Sequence, residues 1–187
     1  MQSFDKLIPI VKNIFMRGDS YMFNKNDYII YGTMGVCKII DIIEEENIYI
    51  GRKSYYVIQP MYSDKSTIIK IPTDNTKVFM RHLLSEKEVM SIIESIPDIE
   101  ILRIDNDRQR SEQFKSIIKN SACEELAQMI KSININEQEK LSVGKKLSKT
   151  DEDFKKTAEK LIEEEFATVL NIPVQDVHSF ILNHIPQ

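Results

Sequence analysis

The sequence predicts an α+β chain of two domains, a small antiparallel β-barrel followed by an all-α helical bundle. Between Phe23 and Ile71, short β-branched and aromatic runs alternate with turn residues. From Ser85 onward, helix-capping patterns precede stretches whose apolar residues return at helical spacing. The texture changes near residue 82, which divides the chain into an N-terminal extension (1–21), a barrel domain (22–82) and a helical domain (83–187).

The strand runs are Asp27–Tyr31, Val36–Ile43, Ile48–Ile50, Ser54–Met61 and Thr67–Ile71. Gly32 and Gly35 bracket the first loop, and Glu44-Glu45-Glu46-Asn47 is too charged for a buried strand. Ser63-Asp64-Lys65-Ser66 reads as a polar hairpin loop, and Pro72-Thr73-Asp74-Asn75 closes the last strand. Five short hairpin-linked strands in about 60 residues suit a Tudor-like or SH3-like barrel, a small fold that leaves few free edges. In the last strand Ile69 and Ile71 share one face, so Ile68 and Lys70 share the other and Lys70 points outward. By composition alone Lys70 is a solvated edge lysine that discourages aggregation.

Ser85-x-x-Glu88 is a capping box, and Val89, Ile92, Ile93 and Ile96 follow at helical spacing before Pro97. A linker over 98–107 leads to a helix over Arg108–Lys119 with Phe114, Ile117 and Ile118 on one side. Ser121-x-x-Glu124 predicts the cap of a third helix carrying Leu126, Met129, Ile130 and Ile133. Ser148-x-x-Asp151 opens a long fourth helix, and Pro173 starts a last one as its first helical residue. The apolar stripes read as core, because each has others to bury it.

Composition excludes several classes. Cys37 and Cys123 form no CxxC pair, and the three histidines do not cluster with them, so the sequence spells out neither a disulfide framework nor a metal site. Buried, reduced thiols in a cytoplasmic protein are the expectation. No apolar run reaches the ~18 residues that cross a bilayer. A formal charge of −4 argues against a protein that coats nucleic acid through bulk electrostatics. Residues 83–187 hold 14 Lys and Arg against 20 Asp and Glu, yet the lysines from Lys140 to Lys160 crowd one stretch. That stretch is either a solvated face or a phosphate-facing patch. No catalytic constellation or phosphate-cradling glycine loop appears, so neither an enzyme nor a cofactor is expected.

Leu7, Ile10, Val11, Ile14 and Phe15 have roughly helical spacing, and the segment lacks the flanks and cleavage site of a signal peptide. Arg17-Gly18-Asp19 can be back-translated into a purine-rich ribosome-binding sequence at a usual distance from Met22. Two readings stay open: a genuine extension, or a start at Met22.

The order of short motifs resembles the CarD/CdnL regulators, whose barrel is shared with the transcription-repair coupling factor. The matching residues are Met22-Phe23 with Asp27, Tyr31-Gly32 with Gly35-Val36, Gly51 before Tyr55-Tyr56-Val57, Ile71-Pro72 with Asp74-Asn75, and Arg81 ahead of Ser85. Leu147-Ser148, Lys156-Thr157-Ala158-x-x-Leu161 and Glu165-Phe166-Ala167 continue the likeness into the helical half. The resemblance runs from Met22 to about Ile185 and favours the later start.

The resemblance implies a cytoplasmic, monomeric bacterial transcription regulator held at the nucleoid through RNA polymerase. Its barrel would bind the polymerase β subunit at the lobe, through Lys70 with Asn47, Ile68 and Arg81. Its helical domain would contact promoter DNA, independently of sequence, at the upstream edge of the melted bubble, and so tune open-complex lifetime. One departure stands out. Relatives place a wedging tryptophan just before the second helix, where this chain has Asn106 and no Trp anywhere. Asn106 can hydrogen-bond to groove edges but cannot wedge between bases, so open-complex stabilisation is expected to be weaker or to be carried by Arg103, Arg108 and Arg110, with Asn106 and Lys149 also in the DNA contact. The alternative is a polymerase-bound adaptor that does not touch DNA.

Overall fold

The computed structural model describes residues 22–48, 51–64 and 66–186. The N-terminal segment over 1–21, with its two readings, lies outside the described residues. Strands β1 (Tyr28–Tyr31), β2 (Val36–Asn47), β3 (Gly51–Pro60), β4 (Ile69–Pro72) and β5 (Met80–His82) form one antiparallel sheet in the order β4-β3-β2-β1-β5. Helices α1 (Glu86–Ser95), α2 (Asp107–Asn120), α3 (Cys123–Ser142), α4 (Lys149–Leu170) and α5 (Val174–His184) follow. The α+β class is as the sequence predicts.

The closed barrel is not what the described residues form. β4 and β5 are short edge strands with one neighbour each, and no ladder joins them, so the sheet stays open. Three strand assignments also change. Glu44–Asn47 continues β2, because this part of the β2–β3 ribbon is exposed and its charges need no burial; Glu45 sits opposite Lys53 and Glu46 opposite Arg52. Ile48 lies in a turn, and the rest of the strand expected over Ile48–Ile50 lies outside the described residues. β5 is an added element: the Asn75 side chain organises the return that lays Met80–His82 beside β1, accepting from the backbone of Lys77 (3.1 Å) and donating to the Val78 carbonyl (2.7 Å).

Strand alternation decides which residues meet which layer. Ile29, Cys37, Ile39, Tyr56, Ile58 and Ile71 join Phe23 in the sheet's own core. Phe23 is pinned there by its N–H donating to the Tyr56 hydroxyl (3.2 Å) and by its ring against His82, 4.7 Å between centroids. Ile30 and Val36 pair across β1 and β2, are also buried, and lie on the opposite face. Arg81 faces Ile30 in the ladder and shares that second face.

The helices share one apolar cluster that includes Val89, Ile93, Phe114, Met129, Leu161 and Phe166. The Ser85/Glu88 capping box forms as predicted, and Ser148 caps α4 by accepting from the Asp151 N–H. Ser121 departs from its expected role. It is the left-handed C-cap of α2 (φ 49°), and Ala122 precedes α3 instead. Its hydroxyl is buried against the carbonyls of Gly32 and Ile118, so it serves the contact between sheet and helices.

Candidate functional site

The outer strip of the sheet is built from β4 and the β2–β3 ribbon. Lys70 projects outward from β4 as its alternation requires, with its side chain 54% exposed and Nζ 2.5 Å from Glu45 Oε1. Ile68, just before the strand, is 49% exposed, while Ile71 on the other face is buried. Two further pairs, Arg52–Glu44 (3.7 Å) and Lys53–Asp74 (3.4 Å), continue the charged strip. Asn47 ends β2 on the same ribbon, and its side chain lies outside the described ones. The far side of β4 is unpaired among the described residues, which leaves a row of backbone donors and acceptors open to a partner strand.

Arg81 does not join Lys70 and Ile68. It sits on the opposite edge strand and turns inward to α4, where Nη1 and Nη2 meet Glu165 Oε1 and Oε2 at 2.5 and 2.6 Å. Its two terminal nitrogens also meet the Ser121 carbonyl (2.8 Å), the His82 carbonyl (3.0 Å) and the Cys123 sulfur (3.7 Å). Glu165 is 1% exposed and accepts as well from the Leu84 N–H (2.9 Å) and the Cys123 thiol (3.1 Å). Burial by itself lowers the Arg81 pKa, but the hydrogen bonds and charge of Glu165 outweigh it and hold the pKa above the ordinary arginine value. Burial, then Glu165, pushes the Cys123 thiol well up. The guanidinium expected to face polymerase is therefore committed to the joint between sheet and helices.

One residue earlier on α4, Glu164 is 4% exposed, and its Oε2 has no hydrogen-bond partner among the described residues. It presses on Gly35, whose φ of 82° and missing Cβ make room for it; an added Cβ would stand 2.1 Å from Oε2. Burial raises the Glu164 pKa, against the opposing pull of Lys160 (3.6 Å) and the Val36 backbone. Beneath it Cys37 is pushed up to about 12, by burial first and by Glu164 next.

The residues read as DNA-facing do gather at one end of the helical part. Arg110 Nη2 meets Asp151 Oδ2 at 3.1 Å, which joins the first turns of α2 and α4. Arg103 reaches Glu139 near the end of α3 at 3.9 Å. A cleft of about 310 Å³ between them is lined by Arg103, Asp105, Asp107, Arg110, Glu139 and Lys140, among others. Their availability differs. Arg103, Arg108 and Lys149 are exposed, although Arg108 pairs with Glu112 (3.2 Å) and Lys149 with Asp153 (2.8 Å). Arg110 is only 15% exposed and is spent on Asp151, Asp107 and the Ile104 carbonyl. Asn106 is the N-cap of α2, its side chain accepting from the Gln109 N–H at 3.0 Å.

Sequence reasoning missed Glu164, Glu165 and Ser121. For Glu165 a signal was present: it stands four residues after Leu161 and seven after Ala158, in phase with the buried stripe of α4. A run of three glutamates hides that phase, because such runs usually lie on a solvated face.

The sheet, its exposed β4 strip and the turn to α1 coincide with a known domain: residues 23–84 match the CarD-like/TRCF RID domain. The chain carries a CarD-like domain. The match supports interaction with RNA polymerase, and it takes in β5 and Arg81 as well as the strip at Lys70. No curated protein matches the chain.

Proposed function

We propose that this CarD-like protein is a non-enzymatic bacterial transcription regulator, acting in the cytoplasm as a monomer. It docks on the β subunit of RNA polymerase through the β4 strip, with Lys70 as the charged contact, Ile68 as the apolar one and Asn47 on the adjoining ribbon. The helical end that presents Asn106, Arg103, Arg108 and Lys149 then lies beside promoter DNA at the upstream edge of the bubble and alters open-complex lifetime, independently of sequence.

The observation that carries this reading is the domain match over 23–84, combined with an exposed lysine on an edge strand whose far side is unpaired among the described residues and an exposed isoleucine just before it. Main-chain pairing along such an edge supplies affinity, and the flanking side chains supply specificity. The test is binding of the full chain to the isolated β lobe. Lys70→Glu places a second acid beside Glu45 and is expected to abolish binding with the circular dichroism spectrum unchanged; Lys70→Ala is expected to weaken it. Wild-type binding by both variants would sink the docking role of Lys70.

The adaptor reading, polymerase docking with no DNA contact, is favoured by one observation: Arg108, Arg110 and Lys149 each have a carboxylate partner, and Asn106 is used as a cap. Footprints of polymerase–promoter complexes with and without the protein separate the two readings. Protection beyond the polymerase's own boundary supports DNA contact, and its absence supports the adaptor.

A further inference from the structure

The turn between α3 and α4 runs against what stability alone would select. Its backbone is hydrogen-bonded: the Lys145 N–H donates to the Lys140 carbonyl (2.9 Å), the Gly144 N–H donates to the Leu141 carbonyl (3.0 Å), and Gly144 has φ 72°. This is the Schellman arrangement, in which the residues at the positions of Lys140 and Lys145 ordinarily touch through apolar side chains. Here both positions hold lysine, and the apolar residues are turned out to water instead, Leu141 at 54% and Val143 at 66% exposure. Buried Leu147 and the Ser148 cap anchor the far end of the turn.

Among the described residues no ion pair engages Lys140, Lys145 or Lys146, unlike the neighbouring Arg103, Lys149 and Lys155. Placing two like charges together and leaving two aliphatic side chains in water are both unfavourable for the isolated chain. Both become favourable against an anionic surface that has an apolar slot. DNA offers that combination: phosphates at regular spacing, and base steps into which small aliphatic side chains insert from the minor groove.

The geometry points to the α3–α4 turn as a DNA-contacting tip, with Leu141 and Val143 as the apolar wedge and Lys140, Lys145 and Lys146 as phosphate contacts. This rests on the reading that the helical end faces promoter DNA, and it assigns that contact to residues other than Asn106. Lys140 and Arg103 line one cleft, together with Asp105, Asp107 and Glu139, and the Arg110–Asp151 bridge holds the first turns of α2 and α4 at that end. DNA is favoured over a protein surface because the only charges within the turn itself, residues 140–147, are lysines, and they flank an apolar tip only two side chains wide.

The test uses the full chain bound to its cognate RNA polymerase on a promoter fragment. A photo-crosslinker is placed on exposed Ser142→Cys and, in a parallel sample, on Asn106→Cys; Cys37 and Cys123 are buried and do not compete. Crosslinking of position 142 to DNA is expected. Crosslinking from 106 but not from 142 overturns this proposal and leaves the DNA-facing reading standing. Crosslinks from 142 to polymerase alone also overturn it, as a protein-docking tip. If neither position reaches DNA while polymerase is bound, the DNA-facing reading falls too. In the same complexes Lys145→Glu/Lys146→Glu is expected to reduce DNA retention about tenfold and to flatten its log–log salt dependence by ~1.8, the loss of two phosphate contacts. Leu141→Ser/Val143→Ser is expected to lose retention with the salt slope unchanged; wild-type retention in both double variants overturns the proposal.

Discussion

Replacing Arg81 by methionine keeps most of the side-chain volume and removes the guanidinium, which isolates the role of the Arg81–Glu165 pair. Glu165 is 1% exposed and, among the described residues, would keep only the Leu84 N–H and the Cys123 thiol as donors. The Ser121 carbonyl would lose its guanidinium donor in the same step. Breaking a buried pair by removing one partner costs about 3–5 kcal/mol, because the surviving charge is left uncompensated. For a chain of this length that corresponds to a fall in Tm of roughly 6–20 °C. The assay is urea unfolding of the full chain, followed by circular dichroism. Arg81→Met/Glu165→Leu removes both charges and is expected to recover most of the loss. A loss below ~1 kcal/mol in the single variant, the size of an exposed pair, would refute the argument that this contact joins the sheet to the helices. With folding verified, Arg81→Met is also expected to retain binding to the β lobe, since its guanidinium faces α4.

Three further outcomes follow from the same joint. Gly35→Ala puts a Cβ against Glu164 at a positive φ, and is expected to lower stability by about 1–3 kcal/mol in urea unfolding; pairing it with Glu164→Ala should restore the part due to the clash. Glu164 has a raised pKa in the fold, so it binds its proton more tightly there than in the unfolded chain. Its stabilising contribution is present below the ordinary value of 4.5 and is lost as pH rises through the folded value. Glu164→Gln should therefore flatten the dependence of Tm on pH above 4.5, measured by differential scanning fluorimetry. Cys37, held at about 12, and Cys123, raised by burial, should resist iodoacetamide at pH 8 in the native protein and react fully in urea, as mass spectrometry would show.

The helices were legible because their signals are local. The Ser85/Glu88 box and the Ser148 cap satisfy orphan N–H groups within one turn, so residues three apart in sequence predict them. Ser121 carries the same signature, yet its hydroxyl lies between the Ile118 carbonyl and that of Gly32, 89 residues away in sequence, and no local pattern records the second contact. Charge misled in both directions. Glu44–Glu46 suggested a break, but an exposed ribbon tolerates charge; Glu164-Glu165 suggested solvent, but Arg81 and Gly35 make room for them inside.

Sequence pattern sufficed for the α+β class, the change from strands to helices near residue 82, the outward aspect of Lys70 and the likeness to CarD-type domains. Each rests on periodicity, on turn chemistry or on an ordered set of short motifs, and all three are carried along the chain. The tertiary structure alone decided that the sheet stays open, that Arg81 and Arg110 are bound inward by Glu165 and Asp151, and that the first turns of α2 and α4 stand at one end. Those outcomes depend on which distant groups become neighbours. The protonation and availability of a charged side chain are set by its neighbours in space and not by its neighbours in sequence.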